Sequence, residues 1–247
     1  MTNILIFDLK GPFAHFRKYF TNSSSLSYSF PPRTVITGIV AGLLGYERDT
    51  YYKNFGDSEC KVAVSIKTPI RKIMQTMNYT NTKNYTIESI LAGKMEHTPI
   101  PLEIVRPLNN YDIVYRIYFL HEKIHQKFKE RLEQQRFFYP PYLGITEFLA
   151  EIEFIDEGEL SGPQKYTDVR LNCVCRKNAI KDRGLKFEDD NSQYLIEKMP
   201  ADFSENRDIT RLEQYIFEKS GKDLNVSLNE PFYKVTYKKN SDNITFM

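Results

Sequence analysis

Apolar positions change period several times along the chain, and each period predicts an element. Asn3 to Leu9 (NILIFDL) is a nearly continuous apolar run stopped by LysGlyPro, the pattern of a buried first strand ending at a turn. After a polar loop, Pro31 and Pro32 precede Thr34. Val35, Ile36, Ile39, Val40, Leu43 and Leu44 then fall at helical spacing up to Gly45, which predicts an amphipathic helix capped by Thr34 and stopped by glycine. Gly38 and Gly42 weaken that helix in isolation, so their use is close approach to the sheet or to another chain. Cys60 to Ile66 alternates like a half-buried strand. Ile100 to Val105 and Ile113 to Leu120 predict two more, around a turn at Asn109 and Asn110. Glu122 to Gln135 has the charge density of a surface helix, with Ile124, Phe128 and Leu132 on one face, and Glu151 to Ile155 alternates as the next strand.

Between Pro69 and Pro99 the chain is polar, basic and rich in Thr, Asn and Tyr, so it is either an extended hairpin or a mobile loop. The order strand, helix, strand, insertion, strand, strand, helix, strand lies close to the βαββαβ pattern. The expected fold is therefore α+β: a ferredoxin-like domain over residues 1–159 with an added hairpin at about 69–99, and a small β-rich extension over 160–247. In that extension Lys165 to Cys175 and Phe232 to Tyr237 read as strands and Lys181 to Asn191 as a loop.

Composition narrows the chemistry. The 247 residues can bury a sizeable core, but the net charge is only +2, so affinity for a polyanion would need charge separated along the chain. That separation exists. Leu9 to Tyr46 has no acidic residue, and Lys61 to Lys94 sets six bases against Glu88 alone; Glu147 to Glu159 has six acids and no base. Such an acidic tract repels phosphate and is usually a solvated face. No apolar run is long enough to span a bilayer, and three cysteines, Cys60, Cys173 and Cys175, lack the spacing of a zinc site; a cytoplasmic protein with free thiols is expected.

In the acid-free stretch Lys10, Arg17, Lys18 and Arg33 sit among Phe13, Phe16, Tyr19, Phe20, Tyr28 and Phe30, beside Ser23, Ser24 and Ser25. Cations neutralise phosphates, aromatic rings stack on bases and hydroxyls bond phosphate or ribose, so the pattern fits a single-stranded nucleic-acid surface. The competing reading is a strand and a helix joined by an ordinary polar loop. The aromatic cluster Phe137, Phe138, Tyr139 and Tyr142 reads as core packing, and Gly144 as relief of a tight turn. His121 and His125, four apart on a predicted helix, have no third ligand and read as a solvated face rather than a metal site. No phosphate-binding glycine loop, nucleophile elbow or HExxH box is present, and no cofactor is implied.

Two blocks, GPFAHFRKYFTNSSSLSYSFPPRTVITGIVAGLLG and PPYLGITEFLAEI (Pro140 to Ile152), resemble, in order, the fifth CRISPR-associated protein family in its type I-B form. The resemblance covers about residues 1–155. It implies a RAMP protein with a ferredoxin-like or RRM-like domain and an inserted β-hairpin thumb. It also implies a role: capping the 5′ handle of the CRISPR RNA (crRNA) in the Cascade surveillance complex for antiviral defence, beside the backbone and large subunits. Target DNA would be met only through the complex, and no membrane. The Pro69–Pro99 insertion would be the thumb, offering Lys67, Arg71, Lys72, Tyr79, Lys83, Tyr85 and Lys94. The RNA-binding set would be Lys10, His15, Arg17, Lys18, Tyr19, Ser23, Ser24, Ser25, Tyr28 and Arg33.

Type I-C members of the family cut precursor RNA without metal. That needs a base, a cation and an acid, which His15, Lys18 and Tyr19 could supply if their loop folded around a phosphate. A lone histidine among aromatics more often packs than catalyses, and type I-B systems, by resemblance, leave processing to a separate ribonuclease. Binding without catalysis is the expectation.

Overall fold

The apolar run near the N-terminus forms β1 (Thr2–Gly11), and its near-continuous hydrophobicity has a structural cause. Leu5, Phe7 and Leu9 enter one core while Ile4 and Ile6 enter another, so both faces of the strand are buried from Ile4 to Leu9, with Asp8 paired to Arg116. The computed structural model describes residues 2–21, 25–80, 85–94, 96–109, 112–165, 168–187 and 191–247. A short ribbon, β2 (Phe16–Arg17) with β3 (Ser27–Tyr28), leads into α1 (Arg33–Leu44). Then come β4 (Lys61–Ile66), β5 (Ile70–Thr80), α2 (Ile87–Leu91), β6 (His97–Pro107), β7 (Ile113–Leu120), α3 (His125–Gln134) and β8 (Glu151–Gln164). The rest is strand: β9 (Asp168–Leu171), β10 (Cys175–Arg176), β11 (Ile180–Lys186), β12 (Tyr194–Phe203), β13 (Ile209–Glu218), β14 (Leu224–Leu228), β15 (Phe232–Tyr237) and β16 (Asn240–Ile244).

The order β8-β1-β7-β4, antiparallel throughout, with α1 following β1 and α3 following β7, is what a βαββαβ chain builds. Both helices pack on one face. Phe7 meets Phe128 of α3 edge-to-face at 5.5 Å, and Ile36, Val40 and Leu132 fill the same core. The opposite face is closed by Tyr118, Cys173, Val235 and Tyr237. Cys60, Cys173 and Cys175 are buried and unpaired, and burial pushes their thiols up to about 12, 11 and 12.

Several expectations need correction. Thr34 lies inside α1 rather than capping it; the Pro32 carbonyl instead accepts from the Val35 and Ile36 amides at 2.9 and 3.1 Å. Gly45 ends the helix as expected, at φ 80°. β4 is buried along Val62–Ile66, because Val174 and Met247 donate backbone hydrogen bonds to Val64 and Val62 at 2.8 and 2.9 Å and cover that edge. Ile100 to Val105 is not a strand of the main sheet. It belongs to β6, which pairs with β5 from Ile70↔Pro107 to Thr80↔His97, so the hairpin is longer than the 69–99 insertion. Asn109 therefore leads from one sheet to another, and Asn110 lies outside the described residues.

The boundary at 159/160 falls inside β8, and β15 and β16 extend the same sheet beyond it. β12 and β13 send Met199, Tyr215 and Phe217 into the main core, while β9, β11 and β14 pack against β10 and β13 around Val226 and Leu171. The segment 181–186, expected as loop, is most of β11. Among the described residues no helix is long and apolar enough to cross a membrane.

Candidate nucleic-acid interface

Residues 12–21 and 25–32 cross the surface beside the hairpin, and alternate side chains decide what they offer. Ala14 exchanges backbone hydrogen bonds with Val105 of β6 (2.9 and 2.8 Å), and the His15 amide bonds the Leu143 carbonyl at 2.9 Å. Gly144 is required by this passage, since a Cβ there would lie 1.9 Å from the His15 carbonyl oxygen; its φ is +97°. Ala14, His15, Phe16, Tyr28 and Phe30 are buried, whereas Phe13, Arg17, Tyr19 and Phe20 remain exposed. The anchors therefore alternate with a basic, aromatic outer face.

Two carboxylates that sequence reasoning missed hold this loop. Glu103 of β6 accepts from the Ser27 amide at 2.8 Å. Glu197 of β12 accepts from the Ser29 amide and hydroxyl at 2.8 and 3.0 Å, and Lys72 of β5 donates to both the Ser27 carbonyl (2.6 Å) and Glu197 (2.9 Å). Lys18 lies 3.7 Å from Glu197 and over the Tyr28 ring at 5.7 Å. Lys72 and Lys18 are thus partly consumed inside the protein. Nothing in the local sequence marks residue 197 as a partner of residue 29.

Arg33, expected to face RNA, is buried at 1% exposure. Its guanidinium donates to the Phe55 and Cys60 carbonyls at 2.8 Å each and reaches Ala201 O and Asp202. It is a structural clamp, for a cation removed from water must be paired and hydrogen-bonded, and only its Nε lacks a partner among the described residues. Tyr28 is buried, and Lys10 pairs with Glu153 on β8. Ser23 and Ser24 lie outside the described residues.

His15, Lys18 and Tyr19 engage different partners. His15 Nδ1 donates to the Glu103 carbonyl at 2.7 Å and Nε2 accepts from the Ser25 hydroxyl at 2.9 Å, which fixes the neutral tautomer; burial lowers its pKa below the usual value. Tyr19 packs edge-on against Phe20 at 5.2 Å. Neither His121 nor His125 matches its expected solvated role. His121 is buried before α3 and bonds the Asn54 carbonyl at 2.8 Å, and His125 bonds Glu157 at 2.7 Å. With Lys129 and then His125 beside it, Glu157 has its pKa held down to about 2, so part of the acidic tract is neutralised locally.

Leu102 and Ile104 of the hairpin base pack with Phe148, and beyond Met74 the arms become mostly exposed. At the base Arg71 stands directly opposite Arg106. Both are half-buried, each hides an Nε without a hydrogen-bond partner, and neither forms an ion pair among the described residues. Like charges opposed in a ladder are unfavourable unless an anion joins them. Lys67 and Lys94 are exposed and Tyr79 and Tyr85 half-buried; Lys83 lies outside the described residues. At the far end α2 exposes Ile87 and Leu91.

A cavity of about 800 Å³ lies between α1 and the segment 139–142, reaching Arg17 on one side and Pro200, Phe203 and Arg207 on another. This corrects the aromatic cluster: Phe137 packs against the core, but Phe138, Tyr139 and Tyr142 are exposed. The signal was available in Tyr139-Pro140-Pro141-Tyr142, where the prolines lack the amides that a buried, hydrogen-bonded segment would use.

These features define a class, an α+β protein with a central antiparallel sheet, helices on one face and a long inserted hairpin. The chain belongs to the CRISPR-associated family whose model, CRISPR-associated protein (Cas_Cas5), matches residues 4–216. No curated protein sequence matches it. Among solved structures it is similar to a CRISPR protein from Archaeoglobus fulgidus, with 14% identity, 98% of this chain and 99% of that chain covered, and a TM-score of 0.55. It is also similar to a chain of a type III-B Cmr-beta complex bound to cognate target RNA and AMPPnP, with 10% identity, 91% and 86% covered, and a TM-score of 0.51. At such identities the likeness is one of fold.

Proposed function

We propose that this chain is the subunit of a type I-B Cascade complex that binds and caps the 5′ handle of crRNA and helps assemble the complex for antiviral defence in the cytoplasm. Membership of the CRISPR-associated family supports the setting. The observation that carries RNA holding is the Arg71–Arg106 pair, two arginines opposed in register at the root of the hairpin, neither with an ion pair among the described residues. Phosphate is the anion that matches such a pair. The exposed Arg17, Tyr19 and Phe20 continue that surface toward the loop. Backbone contacts would fix the register of the strand, and splayed bases would supply selectivity.

Holding rather than cutting is favoured because His15 is buried with both ring nitrogens engaged. The hairpin, with Ile87 and Leu91 exposed near its tip, is suited to contacts with the backbone and large subunits; target DNA is reached through the assembly. Co-purification with the neighbouring subunits and sequencing of the bound RNA tests the reading. RNAs sharing one 5′ end are expected. Recovery without RNA or neighbours overturns it, as does cleavage of repeat RNA by the purified chain in EDTA that His15→Ala abolishes.

A further inference from the structure

We propose that the cavity beside α1 is a stacking pocket for unpaired RNA bases, lined by tyrosines and closed at its rim by Arg17 and Arg207. This rests on the RNA-holding reading and adds a second site to it, apart from the hairpin root.

The lining chemistry is the first observation. Tyr19, Tyr28, Tyr51, Tyr52, Tyr139 and Tyr142 face the cavity with Arg17 and Arg207, and among the described residues no carboxylate lines it. Aromatic rings with cations at the rim suit a nucleobase and its phosphate, and an acid-free lining favours a polyanion over a protein segment. Arg207 Nε lies 3.6 Å from Asp49, but that pair is exposed and weak, and Arg207 remains open to a phosphate.

The floor of the cavity is the second. Gly38 and Gly42 lie on the α1 face that lines it. A Cβ on Gly42 would meet nothing within 4 Å, so no packing within the chain requires glycine there. Glycine in a helix interior is nonetheless less favourable than alanine. Over Gly38 the Tyr51 hydroxyl already sits close, 3.0 Å from where a Cβ would lie, so the room for a planar base against the helix backbone is at Gly42.

The third observation is Tyr28. It lines the same cavity at 1% exposure, and its hydroxyl is buried beside the Tyr19 backbone with no hydrogen-bond partner of normal geometry among the described residues. With its hydroxyl sealed from solvent, Tyr28 forms a wall behind the accessible tyrosines rather than a hydrogen-bonding group for the base.

The test uses the full-length chain and single-stranded oligoadenylate carrying one 2-aminopurine, whose fluorescence falls on stacking. The wild-type protein is expected to quench the probe. Gly42→Leu should remove the quench and weaken binding about tenfold, the scale of a lost base–aromatic stack, while its thermal midpoint stays at or above that of wild type. Loss of binding by a variant that is no less stable is not a folding defect. Tyr139→Ala, at an exposed position, is the second variant and should also lose the quench. If both variants bind and quench like wild type while Arg71→Ala with Arg106→Ala weakens binding, the pocket is wrong and the RNA-holding reading stands. Failure of the wild type to bind any RNA overturns both. Retention of RNA by Gly42→Leu with loss of a co-purifying protein would assign the cavity to a peptide instead.

Discussion

Lys72 Nζ lies 2.9 Å from Glu197 Oε1, joining the root of the hairpin to a strand 125 residues later in the chain. Glu197 also holds Ser29, so one carboxylate ties together the N-terminal loop, the hairpin and the C-terminal sheet. Glu197→Ala would leave the Ser29 amide without its acceptor and the Lys72 ammonium with only the Ser27 carbonyl and the more distant Glu103 carboxylate, at a cost of about 1–3 kcal/mol. The loss should appear as a lower urea midpoint. A double-mutant cycle with Lys72→Met should give a coupling of about 0.5–3 kcal/mol; strictly additive effects would mean that the contact is incidental.

Arg33 makes a sharper stability prediction. Arg33→Met would strip donors from the Phe55, Cys60 and Ala201 carbonyls and leave Asp202 without its cation, at a cost of about 3–5 kcal/mol. Under conditions where the variant is folded, its RNA affinity should keep the wild-type salt dependence. A reduced salt slope would put Arg33 back on the RNA surface.

The arginines without an ion pair among the described residues should behave differently, Arg17 being held only by the Thr21 carbonyl. Arg71→Ala combined with Arg106→Ala should reduce the slope of log affinity against log salt by about 1.4, and Arg17→Ala by about 0.7, one phosphate contact each on a single strand. Lys18→Ala should do less, because Glu197 and the Tyr28 ring already engage its ammonium. Slopes unchanged in all three variants would remove the hairpin root from the interface.

His15 predicts a pH dependence with a definite sign. Burial lowers its folded-state pKa below the unfolded value of 6.5, so the unfolded chain takes up the proton first. The stability it contributes is present above pH 6.5 and is lost as pH falls from there through the lowered folded value. His15→Gln should flatten that limb of the stability profile, as measured by urea unfolding at a series of pH values. A variant with the same acid limb as wild type would show that another group causes it.

Removing residues 78–99 and joining Met77 to Ile100 by a short turn should leave the fold intact. The Lys72, Glu103 and Leu102 contacts all lie below the cut. The circular dichroism spectrum should be near that of wild type, while recovery of partner subunits in a pull-down falls. Normal recovery would mean that the far half of the hairpin has no part in assembly.

The sequence made the main core legible where period and burial agree. Phe128 and Leu132 on α3 and Ile36 and Val40 on α1 fall where their spacing puts them, because helices packed on one sheet face keep an apolar stripe. Reading failed where distant segments decide the environment. β4 was legible as a strand but not as a covered edge, since Val174 and Met247 cover it from the other end of the chain. Among the charges, Arg17 and Arg33 look alike in sequence, yet one is exposed and the other surrounded by carbonyls from residues 55, 60 and 201. Arg106 was passed over because it sits in what reads as a sheet strand, and only the Arg71↔Arg106 register reveals the pair.

The central position of β1 carries a consequence for synthesis. Its pairing with β8 joins segments as far apart as Thr2 and Leu160, a separation of 158 residues. At typical elongation rates β1 must wait on the order of ten seconds for that partner to be translated. During that interval Ile4 to Leu9 is an apolar strand without its final neighbours, so nascent chains are most open to misassociation then. Yield in the cell should therefore depend on how the ribosome and chaperones shelter that one segment.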